Sequence, residues 1–400
     1  MRDSNKTILP TGKKVPTALK ISIIEPVGGH GGMHFYDFGL ADGLAANGVD
    51  VTLFTSGETP SPGPHARFKL VRSFIGVWGR AHTLIRLAHY LSGTIRSILS
   101  SRMAGVEIVH FHFFAVTALE LITVTLAKLA GLKVIITAHD VESFAGDHNQ
   151  SLSRKVYRRV DRVVAHNDVS RRELIDKLQV MTDRISIIPH GNYLPWLGEP
   201  MSREQARREL DLPLDAPVLL LFGAIKPVKR LDLLLKAMPA VISNVPNVRL
   251  VVAGRAWKAD GFARYQSLID ESNIRENVVV DLRSYIPDED ARKYYRAADL
   301  IVLPYERIYQ SGVLLMAMSF AQPVLVSDIP GMLELVQDEV TGFTFQCGDA
   351  DDLAVKLTKV LKDAKLRDLV AREGYRTVSE LYDWKRIGAI TAELYRRVLN

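Results

Sequence analysis

Cysteine is almost missing from this chain of 400 residues: Cys347 is the only one. A single thiol permits no intramolecular disulfide and no cysteine-based zinc site, so nothing points to an oxidising compartment. Long apolar runs are missing too. The most apolar stretch, residues 113–136, is interrupted by Glu120, Lys128 and Lys133, short of the ~18 uncharged residues that a membrane span needs. The opening MRDSNKTILPTGKK is polar and basic with no apolar stretch behind it, which predicts a loose tail over residues 1–17 and no secretory signal. These absences predict a cytoplasmic protein, at most peripheral at the inner face of a membrane. Acid is missing from one segment only. Between Thr59 and Val106 there is no Asp or Glu, while Arg67, Lys69, Arg72, Arg80, Arg86, Arg96 and Arg102 stand there. The net charge is +6, so that segment carries the whole excess, which implies a local anionic partner and argues against a protein that coats nucleic acid.

What is present is ordinary globular composition, 47% hydrophobic and 24% charged, in a length that suits two domains. Apolar, β-branched runs of strand length occupy residues 18–25, 49–55, 106–112, 133–138, 162–166 and 184–189. Helical periodicity fills gaps between them, as over residues 34–47 and 116–130. After a stretch rich in Pro, Gly and charge over residues 191–216, the pattern restarts with strands over 217–223, 248–254, 278–282, 300–304 and 323–327. Helices over 231–242, 288–298, 313–320 and 350–362 alternate with those, and a last amphipathic helix covers 384–399. Strands separated by helices predict α/β architecture with parallel sheets covered on both faces. The expected organisation is a tail (1–17), a first doubly wound domain (18–190), a linker (191–216), a second such domain (217–380) and a C-terminal helix (381–400).

Several strand ends carry chemistry. The first strand runs into PVGGHGGM, where Gly29, His30, Gly31 and Gly32 open a helix and let a ligand approach the backbone. The spacing is not that of a dinucleotide fingerprint, and no acid closes the second strand. A plain tight turn is the other reading. His139 and Asp140 end the strand VIITAHD, a position where α/β proteins place reactive groups, though also where a structural histidine can sit. His110 and His112 share one face of a strand without a third ligand at metal spacing. In FGAIKPVKR, Gly223, Lys226 and Lys229 lie between a strand and a helix, suited to a diphosphate or simply solvated. In YERIYQSGV, Gln310, Ser311, Gly312 and Val313 open another helix whose amides favour an anion. Over residues 80–103, Leu84, Leu87, Leu91, Ile95 and Ile98 form one helical stripe and His82, Arg86, His89 and Arg96 another. Such a helix is either a solvated surface element or a contact for anionic lipid or a lipid-linked substrate, with Arg80, Arg86 and Arg96 as its cations.

The order GGHGGM, VHFH, TAHD, IPHGN, FGAIKPVKRLDLLLKA, YIPDEDARKYYRAADLIVLPY, QSGVLLMA and QPVLVSDIPGMLELVQDEVTGF resembles the retaining GT-B glycosyltransferases of the large family 4, over about residues 18–395. The resemblance implies two Rossmann-like domains facing a central cleft, acceptor on the first and nucleotide sugar on the second, with the last helix crossing back. It places Lys226 and Lys229 on the donor diphosphate, His139 beside the transferred sugar, Gly29 to Gly32 near phosphates and acceptor, and Tyr285 and Ile286 beside the base. It departs at the family's Glu-x7-Glu, whose positions fall on Ile308 and Met316, with Glu306 two residues early. A subgroup with PY...QSGV in this loop is the better likeness, and there Gln310, Ser311 and Gly312 take over donor contacts. The activity implied is retaining transfer of a hexose from a UDP- or GDP-sugar to a glycan or lipid-linked acceptor, with no cofactor and no metal expected. A sugar-nucleotide epimerase of the same fold and a catalytically silent nucleotide- or glycan-binding partner are the alternatives.

Overall fold

The computed structural model describes residues 19–79, 81–141, 149–257 and 261–400; the tail over residues 1–17 and Arg80 lie outside them. The first half builds one parallel sheet from β1 (Leu19–Glu25), β2 (Val49–Ser56), β3 (Lys69–Phe74), β4 (Ile108–Phe113), β5 (Lys133–Ala138), β6 (Arg162–Ala165) and β7 (Ile185–Ile187). Its order is β3-β2-β1-β4-β5-β6-β7. The helices here are α1 (Met33–Ala45), α2 (Thr83–Met103), α3 (Ala118–Leu129), α4 (Gln150–Tyr157) and α5 (Asp168–Asp176). The central strands are buried on both faces: every residue of β4 and all but the first of β5 are inaccessible, which is why they read as continuous apolar runs and not as alternation.

After α6 (Arg203–Glu209), the second half repeats the plan with β8 (Val218–Phe222), β9 (Arg249–Gly254), β10 (Val278–Leu282), β11 (Leu300–Leu303), β12 (Val324–Ser327) and β13 (Phe343–Phe345). Their order is β10-β9-β8-β11-β12-β13, again all parallel. Helices α7 (Leu231–Asn244), α8 (Ala263–Glu271), α9 (Asp288–Ala297), α10 (Gly312–Ser319), α11 (Pro330–Leu333), α12 (Ala350–Lys362) and α13 (Ala364–Leu381) accompany them. The chain thus forms two doubly wound, Rossmann-like α/β units of seven and six strands. In each sheet the order reverses once, between β1 and β4 and between β8 and β11, and ligands of open α/β sheets bind at such crevices.

The final helix, α14 (Trp384–Leu399), returns to the first half and lies on α1. Two glycines set that approach: a Cβ on Gly388 would come within 2.1 Å of the Gly43 backbone, and one on Gly39 within 2.1 Å of the Trp384 ring. The Trp384 indole donates to the Asn192 carbonyl at 2.8 Å, and the Tyr395 hydroxyl meets His110 Nδ1 at 2.7 Å. Truncating a buried Trp of this kind costs about 3–5 kcal/mol.

One helix is built the opposite way from its sequence pattern. The residues of α2 that pack inward are Tyr90, Gly93, Thr94, Ser97, Ile98 and Ser101. Close approach to the sheet demands the small ones: a Cβ on Gly93 would meet the Phe74 ring at 2.7 Å, and Ser101 Oγ donates to Ser22 Oγ at 2.8 Å. The aliphatic residues are left outside. Leu84, Ile95, Leu99 and Met103 are 67%, 44%, 54% and 88% exposed, which corrects the single apolar stripe: only Ile98 of it is buried, and Leu87 and Leu91 are half-buried. Among the described residues no helix is long and apolar enough to cross a membrane.

Candidate active site between the two sheets

The loops at the carboxyl ends of the two sheets meet. From the second half, Gly223 follows β8 with φ +101°, and a Cβ there would lie 3.1 Å from Lys229 Nζ and 3.6 Å from Val313. A glycine is therefore what lets this turn fold under the lysine. Lys226 Nζ stands 4.3 Å above the Trp257 ring and Lys229 Nζ 5.1 Å from the Tyr305 ring. Burial, with Lys226 as neighbouring charge, pulls the Lys229 pKa down to about 8. Lys226 is lowered by burial while Asp140 opposes the shift, and Arg255 adds a third positive charge. Beside them Ser311 caps α10, its Oγ accepting from Leu314 N at 3.1 Å, so the helix presents its first amides toward this corner.

From the first half, His139 and Asp140 follow β5. Burial raises the Asp140 pKa to about 7, against the pull of Lys226 and Arg307. His139 stacks on Phe114 with centroids 4.6 Å apart, and its tautomer follows from its neighbours. The Ile188 carbonyl, 2.9 Å from His166 Nδ1, can only accept, so that nitrogen carries the proton and His166 Nε2 is left as an acceptor. His166 Nε2 then receives the proton of His139 Nδ1 at 3.2 Å. His139 Nε2 is left with its lone pair and has no partner among the described residues. Burial, followed by the charges of His166, His112, His190 and His110, holds the His139 pKa well below the usual imidazole value, so the ring is neutral.

Beneath the glycine loop, Glu25 accepts from the amides of Val27 and Gly28 at 2.7 and 2.6 Å. Burial and the adjacent Asp37 push its pKa up, and Asp37 in turn bonds His112 Nδ1 at 2.9 Å. Gly31 and Gly32 take φ +65° and +78°, and a Cβ on Gly31 would meet nothing within 4 Å, so the loop keeps an open face. Gly29 packs on the Glu58 carbonyl instead, and His30 lies 4.6 Å from Trp78.

The structure therefore brings Gly223, Lys226, Lys229, Val313 and Asp140 to one corner, with Ser311 and Gly312 at its helix end. Gln310 is half-buried with an unpartnered Oε1 among the described residues. Tyr285 is more exposed and donates to Asp288 at 3.1 Å, while Ile286 is buried in the core. Glu306 points away, toward Arg230 at 3.7 Å. Ile308 and Met316 pack against the core of the second half. Arg86 spends its guanidinium on the Val77 carbonyl at 2.8 Å, whereas Arg96 is exposed. His166, Arg255, Trp257 and Arg307 escaped the sequence reading. His166 alone left a trace, as a second histidine at a strand end.

The solved structures that this fold resembles define its class. Sucrose-phosphate synthase from Thermosynechococcus elongatus superposes with a TM-score of 0.72 at 21% identity, covering 95% of this chain and 99% of that one. Anabaena HepE, solved in complex with UDP-glucose, gives 0.73 at 16% identity, covering 95% and 100%. The fold is GT-B. Residues 30–192 match the model "Glycosyltransferase Family 4" and residues 202–377 the model "Glycosyl transferases group 1". The chain is a glycosyltransferase made of a family 4-like domain followed by a group 1 domain. Among its relatives is a D-inositol 3-phosphate glycosyltransferase of Saccharomonospora viridis, 27% identical over 397 residues and covering 92% of this chain and 90% of the relative.

Proposed function

We propose that the protein is a retaining hexosyltransferase that takes a hexose from a UDP- or GDP-sugar and passes it to a lipid-linked acceptor at an anionic membrane surface. Residues 18–190 serve as the acceptor domain and 217–380 as the donor domain, joined by the linker 191–216, with 381–400 as the returning helix. The donor diphosphate sits against Lys226, Lys229 and the Ser311–Gly312 amides, whose positive ends stabilise the charge that develops on the leaving group. The bond from C1 to the diphosphate oxygen breaks as the acceptor hydroxyl oxygen bonds C1 from the same face, and the hydroxyl proton passes to a diphosphate oxygen. His139 Nε2 accepts a hydrogen bond from a hydroxyl of the transferred sugar. With two lysines on the diphosphate, the reaction calls for no metal. The UDP-glucose bound to HepE supports a UDP-sugar donor.

The observation that carries the acceptor class is α2. A helix without a single acid, with Leu84, Ile95, Leu99 and Met103 outward and Arg96 and Arg102 beside them, is suited to the boundary between headgroups and acyl chains. The name of the relatives makes D-inositol 3-phosphate the competing acceptor. The test starts with thermal stabilisation by UDP-, GDP-, ADP- and dTDP-sugars. Radiolabelled sugar from the stabilising donor is then followed into a membrane lipid extract and, separately, into D-inositol 3-phosphate. Label in the organic phase with retained anomeric configuration is expected; label only in the inositol phosphate, or donor turnover without any acceptor, would sink the reading. Cosedimentation with anionic vesicles should also fall with salt, and with Arg96→Glu plus Arg102→Glu, while neutral vesicles bind less.

A further inference from the structure

A cavity of about 140 Å³ lies in the first half between α2, α3 and the carboxyl ends of β1 and β4. Its walls are largely aromatic: Phe74, Tyr90, Phe111, Phe113 and Phe114. Pro26 and Val27, which lead into the glycine loop, close one side, and the half-buried Ala115 stands on the loop after β4. At its edge Glu120 accepts through Oε2 from the amide and hydroxyl of Thr117 at 2.7 and 2.5 Å, which ties that oxygen to the start of α3. Tyr90 and Thr123 face each other at 3.4 Å. Thr94 and His112, which also line the cavity, each hold a buried polar atom, Oγ1 and Nε2, with no partner among the described residues. Those two atoms apart, the lining is mostly apolar and aromatic, which suits an apolar ligand.

Position gives the void its meaning. One wall, Phe114, is the ring stacked on His139. Tyr90 and Thr94 bring in α2, whose other face carries the exposed aliphatic residues. The cavity therefore lies between the reacting centre and the proposed membrane face. Its size is close to the ~150 Å³ of an engineered apolar cavity that takes up benzene, room for about six carbons.

We propose that this cavity binds the first carbons of the acceptor's hydrocarbon chain, next to the head that carries the attacking hydroxyl. The proposal rests on the lipid-linked acceptor reading and adds where that lipid is gripped. An acceptor with a free polar head, such as a sugar phosphate alone, would leave the cavity empty.

The probe is a series of n-alkyl β-glucosides, methyl to octyl, titrated into the full chain by NMR. Affinity should rise roughly fourfold for each buried methylene and level off near six carbons. Ala115→Phe places a ring at the loop edge and should return the hexyl compound to the affinity of the methyl one, with the melting temperature little changed. A flat series, or a rise that survives Ala115→Phe, overturns the site. A crystal structure of the unaltered protein with hexyl glucoside is independent of the variant, and a chain lying anywhere else overturns the site as well. Loss of the lipid-acceptor reading shows differently. Label entering only D-inositol 3-phosphate, with the chain-length dependence intact, removes the lipid substrate and leaves a hydrocarbon site, whereas label in lipid with a flat series removes the site alone.

Discussion

At the carboxyl edge of the first sheet the histidines bond one another or a buried acid and are held neutral; at the same edge of the second sheet the charged groups are cations, two of them lysines lying over aromatic rings. His139, His166 and His112 are all pushed toward the uncharged imidazole, the latter two to about 4 and about 3, chiefly by burial. Lys226, Lys229 and Arg255 keep their charges close together with α10 opening beside them. One edge is prepared to meet hydroxyl groups without charging them, the other to attract an anion. A transferase with a charged donor and a neutral sugar acceptor needs that division, because cations on both edges would hold the product diphosphate as firmly as the donor.

The largest expected effect comes from removing the cations. Lys226→Ala with Lys229→Ala deletes two charge-assisted contacts, each worth roughly 1.5–3 kcal/mol, so kcat/KM should fall about 10²- to 10⁴-fold, with each single variant less affected. Normal activity in the double variant would mean that the diphosphate lies elsewhere. On the neutral edge, His139→Ala should lower kcat roughly 10- to 100-fold and leave UDP-sugar affinity within about threefold. His166→Phe sharpens this. It keeps His139 in place but removes the acceptor that fixes its proton on Nδ1, so it should reproduce part of the kcat loss with unchanged KM for the donor. Equal loss of stability and activity in both variants would reduce the histidines to core packing.

The pH dependence divides the edges again. As pH rises from 6.5 to 9, Asp140 ionises near 7 and Lys229 loses its proton near 8. Both steps make the site more negative, so UDP-glucose affinity should weaken in two stages. Asp140→Asn should abolish the lower stage and tighten binding severalfold above pH 7. Affinity that increases with pH would contradict the assignment of both groups.

How much of this could be read beforehand varies with the contrast between apolar and polar residues along each segment. Strands such as Lys133–Ala138 and Val278–Leu282 and the helices Ala350–Lys362 and Trp384–Leu399 are found with their expected bounds, because apolar runs and 3.6-residue periodicity report local structure directly. Lys69–Phe74 was missed because Lys69 and Arg72 interrupt its apolar residues, whereas Val278–Leu282, also an edge strand and without a buried position, shows as a run of valines. Ala364–Leu381, rich in charge, lacked a contrast strong enough to notice. The inward face of α2 was misread for a different reason. Periodicity shows which residues are apolar, but Gly93, Ser97 and Ser101 face inward because a strand lies too close for anything larger, and that is a tertiary fact. His166 likewise acquires meaning only from His139, 27 positions away in sequence and 3.2 Å away in space.

The smallest expected effect concerns the loop where the family pattern is interrupted. Between β11 and α10 this loop reaches across to the first half: the Tyr309 hydroxyl bonds Glu173, and the Tyr309 carbonyl accepts from Asn167 at 2.5 Å. Tyr309 itself is buried in the first-half core. That anchoring fixes the path of residues 305–311 and turns Glu306 outward, where its side chain is 62% exposed and lies 3.7 Å from Arg230. Arg230 has a closer partner in Asp232 at 3.2 Å, and an exposed ion pair contributes about 0–1 kcal/mol. Glu306→Gln should therefore change kcat/KM by less than about twofold and barely move the melting temperature. Tyr309→Phe is the contrasting variant, expected to destabilise by about 0.5–1.5 kcal/mol because the Glu173 carboxylate loses its hydroxyl donor and keeps Lys177 at 3.1 Å. If instead Glu306→Gln abolishes turnover while binding of the nucleotide persists, the loop must swing inward during the reaction and supply a carboxylate after all, and the donor contacts assigned to Ser311 and Gly312 would have to be shared with it.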